Sequence, residues 1–301
     1  MRYTVQHLTR YAYGAPVDLG YHLLRLVPPN THALARRQRV DEHAIAIVPE
    51  PVRLSAFADH FGNASRHVAI EKRHETFSAE LRAVVEVEAG MAPGKGPAWN
   101  DIAAAIRDDG FPGETAVAEF AYASPLAGTD AAARDFAAEA LAPNRPVVAA
   151  VAALTARINR DFVYVPGVTT VTTPVAEVMQ SRRGVCQDFA HVMIAGLRAH
   201  GLPARYVSGY IRTQPPPGTE ARRGADASHA WVSVWCGPEI GWLEFDPTND
   251  LLVGEEHIVL AYGRDFSDVS PLRGVILGGG AHSVEVAVSV APSDSEPRPA
   301  A

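Results

Sequence analysis

At residues 90–97 the chain reads Gly-Met-Ala-Pro-Gly-Lys-Gly-Pro, and the hydrophobic pattern differs on its two sides. Before this segment, short apolar or alternating runs recur at Tyr3–Leu8, Tyr21–Val27, Ile45–Val48, Arg66–Ile70 and Ala83–Val87. Turn formers such as Pro28-Pro29-Asn30 and Gly62-Asn63 separate them, as expected for an antiparallel β unit. After the segment, composition shifts to alanine and the spacing becomes helical. Helices are expected over Asp130–Leu141 with Thr129 as N-cap, Pro146–Phe162, Thr173–Gln180 and Val185–His200. Strands follow at Ala204–Ile211, His229–Cys236 and Trp242–Asp246, with a last β region over Val275–Val290. Strands segregated from helices give an α+β fold that opens with an N-terminal antiparallel β-sandwich. The expected units are 1–95, 98–256 and a segment 257–291 that packs back on the body, with a disordered tail over 292–301.

The bulk properties exclude several classes. The chain has 301 residues, 47% of them hydrophobic, enough for a packed core. A net charge of -7 argues against nucleic acid or an acidic membrane as partner. The basic run Arg36-Arg37-Gln38-Arg39 is short and reads as solvated loop. Two cysteines make no disulfide framework, and Met1–Gly14 has no signal-peptide core. The longest apolar stretch is too short to span a bilayer. The expectation is a cytoplasmic protein with no membrane partner.

Chemistry concentrates in Arg183-Gly184-Val185-Cys186-Gln187-Asp188-Phe189-Ala190-His191. Cys186, Ala190, Met193, Ile194 and Leu197 share one helical face, which puts Cys186 in the first turn of a buried helix. The unpaired N–H groups there favour negative charge on its sulfur and on an oxyanion formed beside it. Asp188 opposes a thiolate electrostatically, so a separate base is required. The later strands supply one. His229 shares a strand face with Trp231, Ser233 and Trp235; Asp246 shares one with Trp242 and Glu244. A hairpin centred between Gly237 and Pro238 would set His229 directly opposite Asp246, about 4.5–5.5 Å apart at Cβ. One imidazole nitrogen would then be held by Asp246 and the other left for a thiol.

Four segments, Arg183–His191, Leu202–Tyr210, Asp226–Trp231 and Gly241–Asn249, resemble the core blocks of bacterial transglutaminase-like proteins, in the family's order of Cys, His and Asp. The first 95 residues resemble the β domain that precedes this core in one bacterial branch, and Gly263–Pro271 resembles that branch too. The resemblance implies a papain-like core with Cys186, His229 and Asp246 as a catalytic triad.

Other residues carry less. Cys236 alternates away from His229 and reads as core. His191 and His200 read as helix-surface or last-turn residues. His43, His60, His67 and His74 lack ligand spacing, so no metal and no cofactor are expected. Tyr164 and Gln187 are candidate oxyanion donors. Arg264, Asp265 and Asp268 are candidates, by the resemblance, to order a loop near the cleft. The loop Arg212–Ala227, with Pro215-Pro216-Pro217-Gly218, is expected to border the site. Three functions stay open: a thiol amide hydrolase acting on a peptide or protein, an acyltransferase forming isopeptide bonds, and a non-catalytic peptide-binding module. The absence of a visible calcium loop tilts the first two toward hydrolysis.

Overall fold

The computed structural model describes residues 1–108, 115–212 and 228–293. The segment 213–227, most of the loop expected to border the site, and tail residues 294–301 lie outside the described residues.

The N-terminal strands are β1 (Arg2–Leu24), β2 (Thr31–Ala33), β3 (Arg36–Val48), β4 (Arg53–Ala58), β5 (Ala64–Ile70) and β6 (His74–Ala89). Then come α1 (Trp99–Asp108), α2 (Thr115–Ala118), α3 (Ala131–Ala138), α4 (Val147–Asp161), β7 (Val163–Tyr164), α5 (Val175–Ser181), β8 (Arg183–Gly184) and α6 (Cys186–Ala199). The rest is β9 (Ala204–Ile211), β10 (His229–Trp235), β11 (Trp242–Asp246), β12 (Leu251–Leu252), β13 (His257–Gly263), α7 (Phe266–Val269), β14 (Leu272–Gly278) and β15 (His282–Pro292).

Among the described residues, eight strands join in one antiparallel sheet, ordered β2-β3-β6-β1-β5-β4 with β14 and β15 also on β1. Two strands expected at Tyr3–Leu8 and Tyr21–Val27 are thus one long strand. Its first half pairs β6 and β15; its second half pairs β5 and β14. The inward face changes parity along the way: Tyr3, Val5 and His7 are buried in the first half, Gly20, His22 and Leu24 in the second. The pairing with β14 shifts register between Val17 and Leu19, where this switch occurs. Pro292, expected in a disordered tail, pairs with Tyr3.

The second sheet runs β12-β11-β10-β9-β13, and α6 packs against it. Phe189, Ala190, Met193, Ile194 and Leu197 of α6 share one core with Val151, Leu154 and Ile158 of α4 and Ala230, Val232 and Val234 of β10. Helix α6 is not amphipathic in its surroundings: every residue from Asp188 to Arg198 is buried. Gly196 permits this enclosure, because a Cβ there would lie 2.9 Å from Ala137 Cβ and 3.0 Å from Ala133 O on α3. Helix α3 is capped by Asp130, whose side chain accepts from Ala133 N at 2.7 Å, and not by Thr129.

The two sheets meet through Tyr210, Ile258 and Leu260, which join the core of the first sheet beside Leu24, Phe77 and Leu81. The run Arg36–Arg39 is not solvated loop. It lies in β3, where Arg36 and Gln38 are buried against the second sheet. Gln38 bonds both backbone groups of Val259, and Asn63 bonds both of Tyr262, at 2.7–2.9 Å. These amides satisfy the outer edge of β13, whose one ladder partner among the described residues is β9.

Candidate active site

Gly184, Val185 and Asp188 fix the start of α6. The Val185 N–H donates to Asp188 Oδ2 at 2.8 Å, and the Thr169 hydroxyl donates to the same oxygen at 2.7 Å. A Cβ on residue 184 would lie 2.7 Å from that oxygen, so the bend into the helix requires glycine. Asp188 is therefore a helix cap. Its burial raises its pKa, against the two hydrogen bonds it accepts. Cys186 occupies the first turn and is 8% exposed.

Strand β10 brings His229 to this turn, where it is 2% exposed. His229 Nε2–H donates to Asp246 Oδ2 at 2.9 Å. Burial opposes the imidazolium, but the Asp246 carboxylate and a charge and hydrogen bond from Cys186 outweigh it and raise the His229 pKa. Nδ1, the nitrogen not engaged by Asp246, is buried. Asp246 is fully buried. Burial pushes its carboxyl up, but His229 and a hydrogen bond from His257 hold it well below the usual carboxylate range.

The hairpin register is not the one expected. Val232 pairs Phe245, Ser233 pairs Glu244 and Trp235 pairs Trp242, which moves the ladder two residues from a turn centred on Gly237 and Pro238. The cause is a longer turn. Gly237 and Gly241 take φ of 93° and 74°, and Gly241 N bonds Gly237 O at 2.7 Å. A two-residue slip preserves the face of every side chain. His229 and Asp246 are thus diagonal and not directly opposed, within reach of long side chains.

Three further donors fix Asp246. The N–H groups of Thr248 and Asn249 reach Oδ1 at 2.8 and 3.2 Å, and Asn249 Nδ2 reaches Oδ2 at 2.7 Å. His257 Nε2–H also donates to Oδ2, at 3.2 Å. Sequence reasoning missed His257. It sits on a different strand, at no characteristic spacing from Asp246, and only the strand order reveals it. Arg36 of β3 donates to its carbonyl and pairs Glu244 at 3.0 Å, so the first sheet helps hold it. Ligand-type atoms of His229, Asp246 and His257 lie within 4.8 Å of one another, the one such cluster among the described residues. The 2.9 and 3.2 Å separations are hydrogen-bond lengths, and the proton each bond uses is one a metal would displace.

The other candidates are placed as follows. Tyr164 pairs in β7 with Gly184, two residues before Cys186. The Gln187 side chain donates to Val171 O at 3.0 Å. His191 is buried, not on the surface. Its Nε2 accepts from Phe266 N at 3.3 Å, and burial lowers its pKa to about 4. His200 Nε2 lies 2.9 Å from Arg134 O at the end of α6. Cys236 is core, and burial pushes its thiol up to about 12. Arg264 pairs with Asp268 at 2.9 and 3.0 Å, while buried Asp265 caps α7 and accepts from Leu126 N. These three brace the far side of α6, where Arg198 donates to Arg264 O.

Comparison with known proteins places the chain in a family. Residues 134–247 match the transglutaminase-like superfamily core, and residues 3–86 match the bacterial transglutaminase-like N-terminal region. An uncharacterized protein of Mycobacterium tuberculosis is 42% identical over 98% of this chain and 94% of its own length. A protein-glutamine gamma-glutamyltransferase of Pseudomonas aeruginosa is 39% identical over 33% of this chain and 15% of its own length. A crystal structure from Cytophaga hutchinsonii, provisionally described as a cysteine protease, shares the fold with a TM-score of 0.71. It has 21% identity and covers 99% of this chain and 93% of that one. Among the described residues no helix is long and apolar enough to cross a membrane. The chain belongs to the transglutaminase-like superfamily, with the bacterial N-terminal region ahead of the core.

Proposed function

We propose that the protein is a thiol-dependent amide hydrolase acting on a peptide or protein, with Cys186 as nucleophile, His229 as acid–base and Asp246 orienting the imidazole. The carrying observation is the buried His229–Asp246 hydrogen bond beside Cys186 at the first turn of α6. The Cys186 sulfur attacks the amide carbon, and the C–N bond breaks as the leaving amine takes a proton from His229. Water, deprotonated by His229, then cleaves the thioester and frees the acid and Cys186. The free N–H groups of the first α6 turn, at Cys186 and Gln187, and the Tyr164 side of the cleft are the proposed oxyanion donors. The Gln187 side-chain amide is engaged with Val171, so its proposed part is the backbone N–H.

A second reading is transfer of the acyl group to an amine. It is favoured by the similarity of about a third of the chain to the glutamyltransferase. One experiment separates the two. A peptide library is incubated with the protein, with and without a primary amine, and read by mass spectrometry. Cleavage or deamidation unaffected by the amine is the expected result, and amine-sized mass gains would establish transfer instead. Cys186→Ala should be inactive while keeping its thermal unfolding curve. Full activity in that variant overturns both readings.

A further inference from the structure

Arg205 of β9 lies on the sheet face opposite α6. Its guanidinium is stacked between two rings, 4.3 Å from the Trp242 centroid and 3.8 Å from that of Tyr262. Its Nε donates to Ser233 Oγ at 3.2 Å, across the β9–β10 ladder. Neither Nη nitrogen has a hydrogen-bond partner among the described residues, and neither is sealed from solvent. Arg205 also has no ion pair among the described residues. Glu244 exerts a field on it, but its oxygens are taken by Arg36, Trp231 and Tyr262 at 2.7–3.1 Å. Ser233, the cross-strand partner, is neutral. A half-buried cation is thus held by two rings, its charge uncompensated by any carboxylate at contact distance among the described residues.

Arg205 lines a cavity of about 510 Å³. Its walls are Phe61, Trp235, Trp242 and Tyr262, and Asn30 and His32 supply polar groups at its edge. Glu239, also at the edge, is exposed on the β10–β11 turn. The volume suits a small organic ligand, and the lining joins four aromatic rings to one cation, with Glu239 at the solvent edge. A planar guanidinium immobilised by stacking is matched to a carboxylate taken by two parallel N–H bonds.

We propose that this cavity is a carboxylate-binding site, distinct from the Cys186 centre, in which Arg205 takes a peptide carboxylate and the Trp242 and Tyr262 rings hold the adjoining atoms. Arg205 pairs four positions before Gly209, the partner of His229, so the site lies about 13 Å along the sheet from the catalytic His.

The test uses the full chain carrying Cys186→Ala, so that no turnover intrudes and the outcome is independent of the thiol chemistry. The probes are N-acetylalanine for a chain-terminal carboxylate, N-acetylglutamic acid α-amide for a side-chain carboxylate, and N-acetylalaninamide as the neutral control. The readout is the indole N–H resonances of Trp242 and Trp235, with Trp99 on α1 as internal reference. One or both carboxylates should shift the first two saturably below about 20 mM, with the amide silent. Which acid binds identifies the source of the carboxylate. Arg205→Lys, which keeps the charge and loses the fork, should weaken binding at least about tenfold. The proposal is overturned if neither acid gives a saturable shift, if the amide binds equally well, or if a folded Arg205→Lys or Arg205→Met protein binds undiminished.

Discussion

His257 is the residue whose role is least visible from its own surroundings. Among the described residues its Nδ1 is buried without a partner and its one side-chain bond goes to Asp246, while its ring meets Trp231 edge-on at 5.2 Å. Burial lowers its pKa, although Asp246 works the other way, so it serves as a neutral donor. A hydrogen bond to a charged group contributes about 1.5–3 kcal/mol. His257→Phe should therefore lower kcat by about tenfold to a hundredfold, with KM changed little, because it loosens Asp246 and not a substrate contact. His257→Gln restores an N–H donor and should recover most of the loss; equal defects in the two variants would assign His257 to packing alone. At this scale much was legible. Cys186, His229 and Asp246 come together because strand parity survives a two-residue slip. His257 was not legible, since nothing local ties position 257 to 246. His191 was misread because only one face of α6 was counted as apolar, although Phe189, Val192 and Ala195 cover the remainder.

Elements show why the site is held so firmly. The first turn of α6 depends on one carboxyl, Asp188, tucked against a residue with no side chain, Gly184. Gly184→Ala pushes that carboxyl off the Val185 N–H. Chemical denaturation should show a loss of about 1–2 kcal/mol, the cost of a lost N-cap. The same protein should react more slowly with iodoacetamide at Cys186 as the turn frays. An unchanged melt with unchanged alkylation would show that Asp188 does not set this turn. Helix and strand positions were largely readable from periodicity, and the Gly90–Pro97 segment does separate the first run of strands from the helices. What periodicity could not give was β1 as a single strand, since its inward face switches parity partway. Nor could it give β13 as an edge closed by side chains, because Gln38 and Asn63 lie about 200 residues away.

On the scale of the whole molecule, buried histidines set the acid limit. His7, His22 and His191 are each buried, and burial lowers each to about 4; for His22 the nearby His74 adds to the effect. Unfolded, each takes a proton near pH 6.5. Between pH 6.5 and 4 the unfolded chain binds more protons than the folded one, so stability falls as pH drops through that window. The slope is about 1.4 kcal/mol per pH unit for each histidine. Unfolding free energies at pH 7, 6, 5 and 4 should show it, and His22→Phe should flatten the curve by one proton. A curve that is level from pH 6.5 to 5 would refute neutral burial.

Strand β1 also sets a schedule. Leu24 pairs with Leu272, and Tyr3 with Pro292, so β1 is completed by residues made about 250 or more positions later. At about 5–20 residues per second, synthesis leaves one edge of β1 unpartnered by its own chain for roughly 12–50 s. During that time the open edge and the side chains later covered are available to other nascent chains. Yield of folded protein should therefore respond to translation speed and chaperone supply more than to changes around Cys186, and a chain stopped before Leu272 should aggregate even with its triad complete.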